Sequence, residues 1–158
     1  SYLLGARQET EILASAQATS GAPIETAAGA ILKALEAMGA RRILIVSPYP
    51  DWLRDAGVAF WREMGLEVAG TATVPIGRAD TRGIYELQGA DAAGVLDCLD
   101  THGTDAVLVS GTGMPSLELL RARRSQHPPA ISSNLCLAWR LHQHVPGSGP
   151  ALPQELLA

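Results

Sequence analysis

At 158 residues, 47% hydrophobic and 18% charged, the chain is long enough to bury a real core in one domain. Its formal net charge of -4, with no basic run or basic and aromatic stripe, gives nucleic acid no footing. The longest apolar stretches, Ile43 to Val46 and Ala106 to Val109, are far too short to cross a bilayer. No basic segment followed by an apolar one opens the chain, so a signal peptide is not expected. Cys98 and Cys136 are too few for a disulfide framework. They show no metal-ligand spacing with each other or with His102, His127, His142 and His144, and the expected compartment is the reducing cytoplasm.

In chain order, Ser1 to Thr19 reads as a helix through Leu4, Ile12 and Ala16, and Ala22 to Glu25 as a short strand. A repeating unit then begins: a helical apolar face, a glycine, a short apolar strand. Thr26 is the N-cap of a helix carrying Ala27, Ala30, Ile31, Ala34, Leu35 and Met38 on one face, which Gly39 stops. Arg42 to Ser47 is apolar without alternation, as a buried parallel strand is. Asp51 is the next expected N-cap, for a helix whose face is Leu53, Gly57, Phe60, Trp61 and Met64, with Gly65 as stop and Glu67 to Val74 as strand. Pro75 to Gly89, with Gly77, Gly83 and Gly89, is a long excursion of the length that functional loops take. Ala92, Val95, Leu96 and Leu99 make the third helical face. Gly103 stops it, and Asp105 to Ser110 is the strand. Cys98 falls among those residues as an inert buried thiol, and Cys136 reads as a core thiol too. Pro129 to Ser133 is a fourth strand and Asn134 to Gln143 a last helix, beyond which Pro146, Gly147, Gly149, Pro150 and Pro153 break all periodicity and imply a mobile tail.

Strands alternating with helices imply right-handed βα units: an α/β fold with a four-stranded parallel sheet and helices on both faces. In such sheets ligands sit beyond the carboxyl ends of the strands. Those ends are Ser47-Pro48-Tyr49, Ser110-Gly111-Thr112-Gly113 and Ser132-Ser133-Asn134. They deliver hydroxyls and glycine backbone to one rim, beside helix starts that favour an anion. Tyr49 can donate its phenol proton to a carboxylate, and the equal alternative is a half-buried packing tyrosine. For the serines and Asn134 the alternative is plain helix capping. Ser110 to Ser116 is neither a phosphate-binding loop nor a dinucleotide fingerprint, because the required Gly-Lys-Ser/Thr and glycine spacings are missing. Pro115 suits the first turn of the following helix, with Ser116 or Glu118 at its start.

Four motifs in order, Ala18-Thr19-Ser20-Gly21-Ala22-Pro23-Ile24-Glu25-Thr26, Ser47-Pro48-Tyr49, Ser110 to Leu117, and Ser132-Ser133-Asn134 ahead of Trp139, resemble the maleate cis-trans isomerase and arylmalonate decarboxylase branch of the Asp/Glu racemase superfamily. The resemblance runs to about Gln143. It implies a fold of two similar α/β halves with the active site between them, and chemistry by cysteine without metal or organic cofactor. It further implies that Tyr49 donates to a substrate carboxylate, with the Thr112 and Gly113 backbone in the anion pocket beside it; the strand-end rim adds Ser110, Gly111, Ser47 and Ser133 around the same small carboxylate or dicarboxylate. Residues 1–25 would then be a helix and connector of the preceding half-domain, 26–144 the carboxylate-binding half, and 145–158 a flexible tail.

Two departures shape the functional expectation. Gly111 stands where this family usually carries its second-half cysteine, and the other cysteine belongs to a Cys-Thr-Ser type motif just upstream of the segment that Ser1 to Gly5 matches. The leading expectation is an isomerase of small carboxylic acids whose reactive cysteine lies upstream of this chain, the chain alone being inactive. An arylmalonate-type decarboxylase is the alternative enzyme, disfavoured by Gly111. A lapsed, non-catalytic carboxylate-binding module is the alternative of a different class, and an α/β domain whose rim hydroxyls are only caps is the plainest. Apolar surface on the Ser1 to Thr19 helix would favour self-association into a homo-oligomer.

Overall fold

The computed structural model of the protein describes residues 1–77, 81–145, 147 and 149–158. Helix α1 (Gly5–Ser20) precedes a regular alternation: α2 (Ala27–Ala37), β1 (Arg42–Ser47), α3 (Asp51–Glu63), β2 (Glu67–Thr73), a 3-10 turn (Thr81–Glu86), α4 (Gly89–Asp97), β3 (Ala106–Val109), α5 (Leu117–Ala122), β4 (Ala130–Ser132), α6 (Ser133–Gln143) and a closing 3-10 turn (Pro153–Leu157). The four strands pair in parallel in the order β2-β1-β3-β4.

Local chemistry accounts for most boundaries. The Thr26 hydroxyl accepts from the Gly29 N–H at 3.0 Å, capping α2 as its sequence predicts. Helices α2 and α3 end two residues before Gly39 and Gly65 respectively, where a glycine stop was expected. In β1 and β3 every apolar residue is buried, because each strand has a neighbour on both sides and helices above and below. Edge strand β2 instead alternates towards solvent.

The side chains divide by parity. Ile43, Ile45, Leu108 and Ile131 face α2, α3 and α6, including Phe60, Trp61, Cys136 and Trp139. Leu44, Val46, Val107 and Val109 face α4 and α5. From β1 the chain steps outward to β2 through α3, then back across to β3 through α4. Right-handed crossovers run in opposite directions must lie on opposite faces, so helices cover both. That reversal leaves a crevice between the carboxyl ends of β1 and β3.

Four expectations are corrected. Residues 22–25 form no strand; they run as extended connector between α1 and α2. Pro50, not Asp51, is the N-cap of α3, and Asp51 opens its first turn. Cys98 is exposed, because α4 ends at Asp97 before the thiol can turn into the core. The tail expected to be mobile packs over 149–158: Trp139 Nε1 donates to the Pro150 carbonyl at 2.9 Å and Leu157 is 1% exposed in the core. The excursion after β2 contains the Thr81–Glu86 turn, while its residues 78–80, like Pro146, lie outside the described residues. No helix among the described residues is long and apolar enough to cross a membrane.

Candidate active site at the strand crossover

Around that crevice the structure gathers Tyr49, Ser110, Thr112 and Ser133 on one cavity of about 350 Å³. Tyr49 is carried by the turn between β1 and α3, Ser110 and Thr112 by the loop after β3, and Ser133 by the first turn of α6. Ala27 and Ala28, from the first turn of α2, line it as well. The first turns of two helices therefore border the cavity, where the positive end of the dipole lies. No described side chain lining it is charged. An anion here would be held by oriented O–H and N–H dipoles and not by an ion pair.

Gly111 and Gly113 turn to the other side of the same loop. With Tyr49, Thr112, Ile84 and Tyr85 they bound an adjoining hollow of about 120 Å³. A side-chain carbon on Gly113 would lie 2.9 Å from the Tyr85 ring, so the loop must be bare there for the 3-10 turn to approach. Asn134 Nδ2 donates to the Thr112 carbonyl at 3.0 Å and locks the loop to the start of α6. Ser47 does not line the cavity. It is 1% exposed, and its Oγ makes no hydrogen bond to any described residue. Ser132 is a plain cap: its hydroxyl accepts from the Leu135 N–H at 3.3 Å. Capping thus accounts for Ser132 but leaves Ser110 and Ser133 unexplained.

Sequence reasoning missed Tyr2 and Trp61. Tyr2 reaches into the crevice, its phenol 2.9 Å from Ser110 Oγ, and Trp61 Nε1 donates to the Tyr2 oxygen at 3.0 Å. The Tyr2 ring meets Tyr49 edge-on, with centroids 6.0 Å apart. It lies against α3 at Gly57, where an added Cβ would come within 2.9 Å of the ring. A glycine on the otherwise apolar face of that helix was the one sequence signal that something docks there.

Burial pushes the Tyr2 phenol up to about 12 against the opposing pull of its Ser110 and Trp61 hydrogen bonds. Burial likewise raises Tyr49, with Ser110 pulling the other way. Both phenols are neutral donors at neutral pH. Cys136, sealed in the core, is pushed from 9.0 up to about 12 by the same cause, which removes it as a nucleophile. Among the described residues no cluster of three or more His, Cys, Asp or Glu could hold a metal.

The raised values of Tyr2 and Cys136 set a pH dependence. A proton held more tightly in the folded chain stabilises it fully below the unfolded pKa and progressively less as pH rises through the folded one. Unfolding free energy should therefore hold up to about pH 9 and fall between about pH 9 and 12. Urea midpoints taken across that range check this, and a flat profile would contradict the burial of both groups.

A cavity bearing several hydroxyls at the reversal point of an open parallel sheet defines an α/β domain with its candidate site where this class of fold places ligands. The chain belongs to the arylmalonate decarboxylase family, whose model matches residues 1–151. It is 29% identical to a maleate isomerase of Pseudomonas putida over 158 residues, covering 92% of this chain and 62% of that protein. It is 24% identical to an arylmalonate decarboxylase of Bordetella bronchiseptica, over 97% of this chain and 64% of the relative. The fold superposes with a TM-score of 0.82 on a maleate cis-trans isomerase variant of Nocardia farcinica that carries a covalently bound succinylcysteine intermediate. The identity there is 25%, over 97% of this chain and 67% of that one. The chain thus spans less than two thirds of the length of these curated relatives. The resemblance read from the sequence motifs is borne out at the level of family and fold.

Proposed function

We propose that this chain is the carboxylate-holding part of a cofactor-independent isomerase acting on a small unsaturated carboxylic acid of the maleate type. The observation that carries the reading is the cavity, free of charged side chains, that Tyr49, Ser110 and the first turns of α2 and α6 line together. The maleate isomerase relatives, one of them with a succinyl group on cysteine, support it. Residues 1–25 would connect to a preceding half and 26–144 would form the carboxylate side.

The chemistry asks little of this half. A thiolate adds to one alkene carbon, and the π electrons move into the adjacent carboxylate as an enediolate. The former double bond rotates, and the electrons return to expel the thiolate. No net proton transfer is needed, so the absence of a thiol at Gly111 does not block this route. Decarboxylation is different: the carbanion left by CO2 must take a proton, and Gly111 offers none. Neither thiol of this chain serves as the nucleophile, Cys136 being in the core and Cys98 at the C-terminal end of α4, away from the crevice. The nucleophile would come from outside residues 1–158. What this chain supplies is stabilisation of the enediolate by fixed donors that need not reorganise.

The test is turnover of maleate and of phenylmalonate by the full-length protein. Conversion of maleate to its trans isomer supports the reading. Release of CO2 from phenylmalonate without isomerisation would overturn it in favour of the decarboxylase, and tight maleate binding without turnover would identify a binding module. Tyr49→Phe should cost carboxylate binding about 1.5–3 kcal/mol, the worth of a hydrogen bond to a charged group, with folding intact. Titration of the full-length variant with maleate checks this, and an unchanged dissociation constant would remove Tyr49 from the site.

A further inference from the structure

Three groups in the crevice form a directed chain of hydrogen bonds. An indole nitrogen only donates, so the Trp61 N–H occupies a lone pair of the Tyr2 oxygen. The Tyr2 proton is then left for another acceptor, and Ser110 Oγ lies 2.9 Å away. Either oxygen can donate in that bond, and a Tyr2 proton placed on Ser110 satisfies the phenol without any group from the cavity. With the bond in that direction Ser110, 2% exposed, receives a proton on its oxygen and keeps its own O–H to give. That O–H stands beside the Tyr49 phenol, with which it interacts, and both groups line the cavity.

We propose that Tyr2, anchored by the Trp61 indole, is a positioning residue that makes Ser110 an obligate donor, so that Ser110 and Tyr49 together present two O–H groups to one carboxylate of the substrate. The proposal rests on the carboxylate reading of the cavity. It goes beyond it by giving two residues outside the rim motifs a role in selectivity. A serine hydroxyl free to rotate can donate to a carboxylate or accept from an amide N–H. One whose oxygen is already occupied by Tyr2 prefers the carboxylate. The site should therefore select an ionised acid over its neutral amide through residues that do not contact the reacting carbons. The raised phenol pKa values fit this, since both rings keep their protons throughout the neutral range.

The seat of Tyr2 is built for this placement. Gly57 leaves the gap in α3 that the ring fills, and the Phe60 and Trp61 rings pack around it at centroid distances of 5.5 and 6.0 Å. Tyr2→Phe keeps the ring and removes only the link between Trp61 and Ser110.

In the full-length protein, dissociation constants for maleate and for its mono-amide, maleamate, are measured on the parent, Tyr2→Phe, Ser110→Ala, Tyr49→Phe and the Tyr2→Phe/Ser110→Ala double variant, with thermal midpoints alongside. Tyr2→Phe should weaken maleate about three- to tenfold while leaving maleamate nearly unchanged and the midpoint close to the parent's. Added to Ser110→Ala it should weaken maleate no further, because the chain is already cut. Trp61→Phe, which removes the donor at the far end, should narrow the acid-to-amide preference in the same direction. A Tyr2→Phe variant that binds maleate as tightly as the parent or tighter, or losses that add in the double variant, would overturn the relay while leaving the carboxylate reading intact if Tyr49→Phe still weakens binding. If Tyr49→Phe and Ser110→Ala both leave maleate binding unchanged, the carboxylate reading itself falls and the relay with it.

Discussion

Trp61→Ala should lower the unfolding free energy by about 3–5 kcal/mol, the range for emptying a fully buried aromatic site. Trp61 is fully buried on α3 and packs edge-on against Phe60, with ring centroids 5.1 Å apart. The space it leaves cannot collapse easily, because the sheet lies on one side and the Tyr2 ring on the other. The loss compounds, since the Tyr2 oxygen loses its donor as well. Set against a typical total of about 5–15 kcal/mol for a whole domain, one substitution removes a large share of the stability. Urea denaturation measures it, read as a shift in midpoint at constant slope. A loss below about 1.5 kcal/mol would mean that Trp61 is not the wall between core and crevice.

Gly111→Cys should destabilise the protein by about 1–3 kcal/mol and should not create a working second thiol. Gly111 sits at φ 129°, a region in which a side chain is strained, and an added Cβ would lie 3.1 Å from Pro48 Cδ and 3.3 Å from Cγ. Neither side can give way readily. Pro48 is a rigid buried ring between β1 and Tyr49, while the Ser110 N–H is tied to the Val46 carbonyl at 2.8 Å and the Met114 N–H to the Gly111 carbonyl at 3.0 Å. The loop is shaped around a bare residue. Gly111→Ala separates the backbone cost from any chemistry of sulfur, and both variants should melt below the parent. A Gly111→Cys protein that melts with the parent and gains phenylmalonate decarboxylation would show that the loop accommodates the thiol after all.

Much of the fold was legible because it rests on local rules. The unbroken apolar runs of β1 and β3 could be satisfied only by central parallel strands. Thr26 announced a helix start, and Gly39 and Gly65 announced helix ends. The rim followed from chain direction alone, since every strand of a parallel sheet ends on the same side, and this brings Tyr49, Ser110 and Ser133 together. Less was legible where burial depends on distant partners. Ser47 ends β1 on the same face as Ser110, yet it is 1% exposed, does not line the cavity, and its hydroxyl has no partner among the described residues. Cys98 shares a helical period with core residues but falls just past the last turn of α4. The proline- and glycine-rich tail lacks periodicity, yet Leu157 finds a hole between α5, α6 and the sheet that no local pattern describes.

Tyr2 marks the same boundary at the site itself. Nothing around Ser1-Tyr2-Leu3 distinguishes that ring from an exposed aromatic at the head of a helix, and its bond to Ser110 closes a separation of 108 residues. Hydrophobic periodicity and turn chemistry act within a few residues of themselves, so the order of residues was enough to specify the α/β class, its parallel sheet, the family and the rim on which a ligand would sit. Hydrogen-bond direction and a shaped cavity require groups from α3, the β3 loop and the chain's first residues to meet at about 3 Å. Only the packed structure brings them there, and it alone decided that Trp61, Tyr2 and Ser110 stand in line.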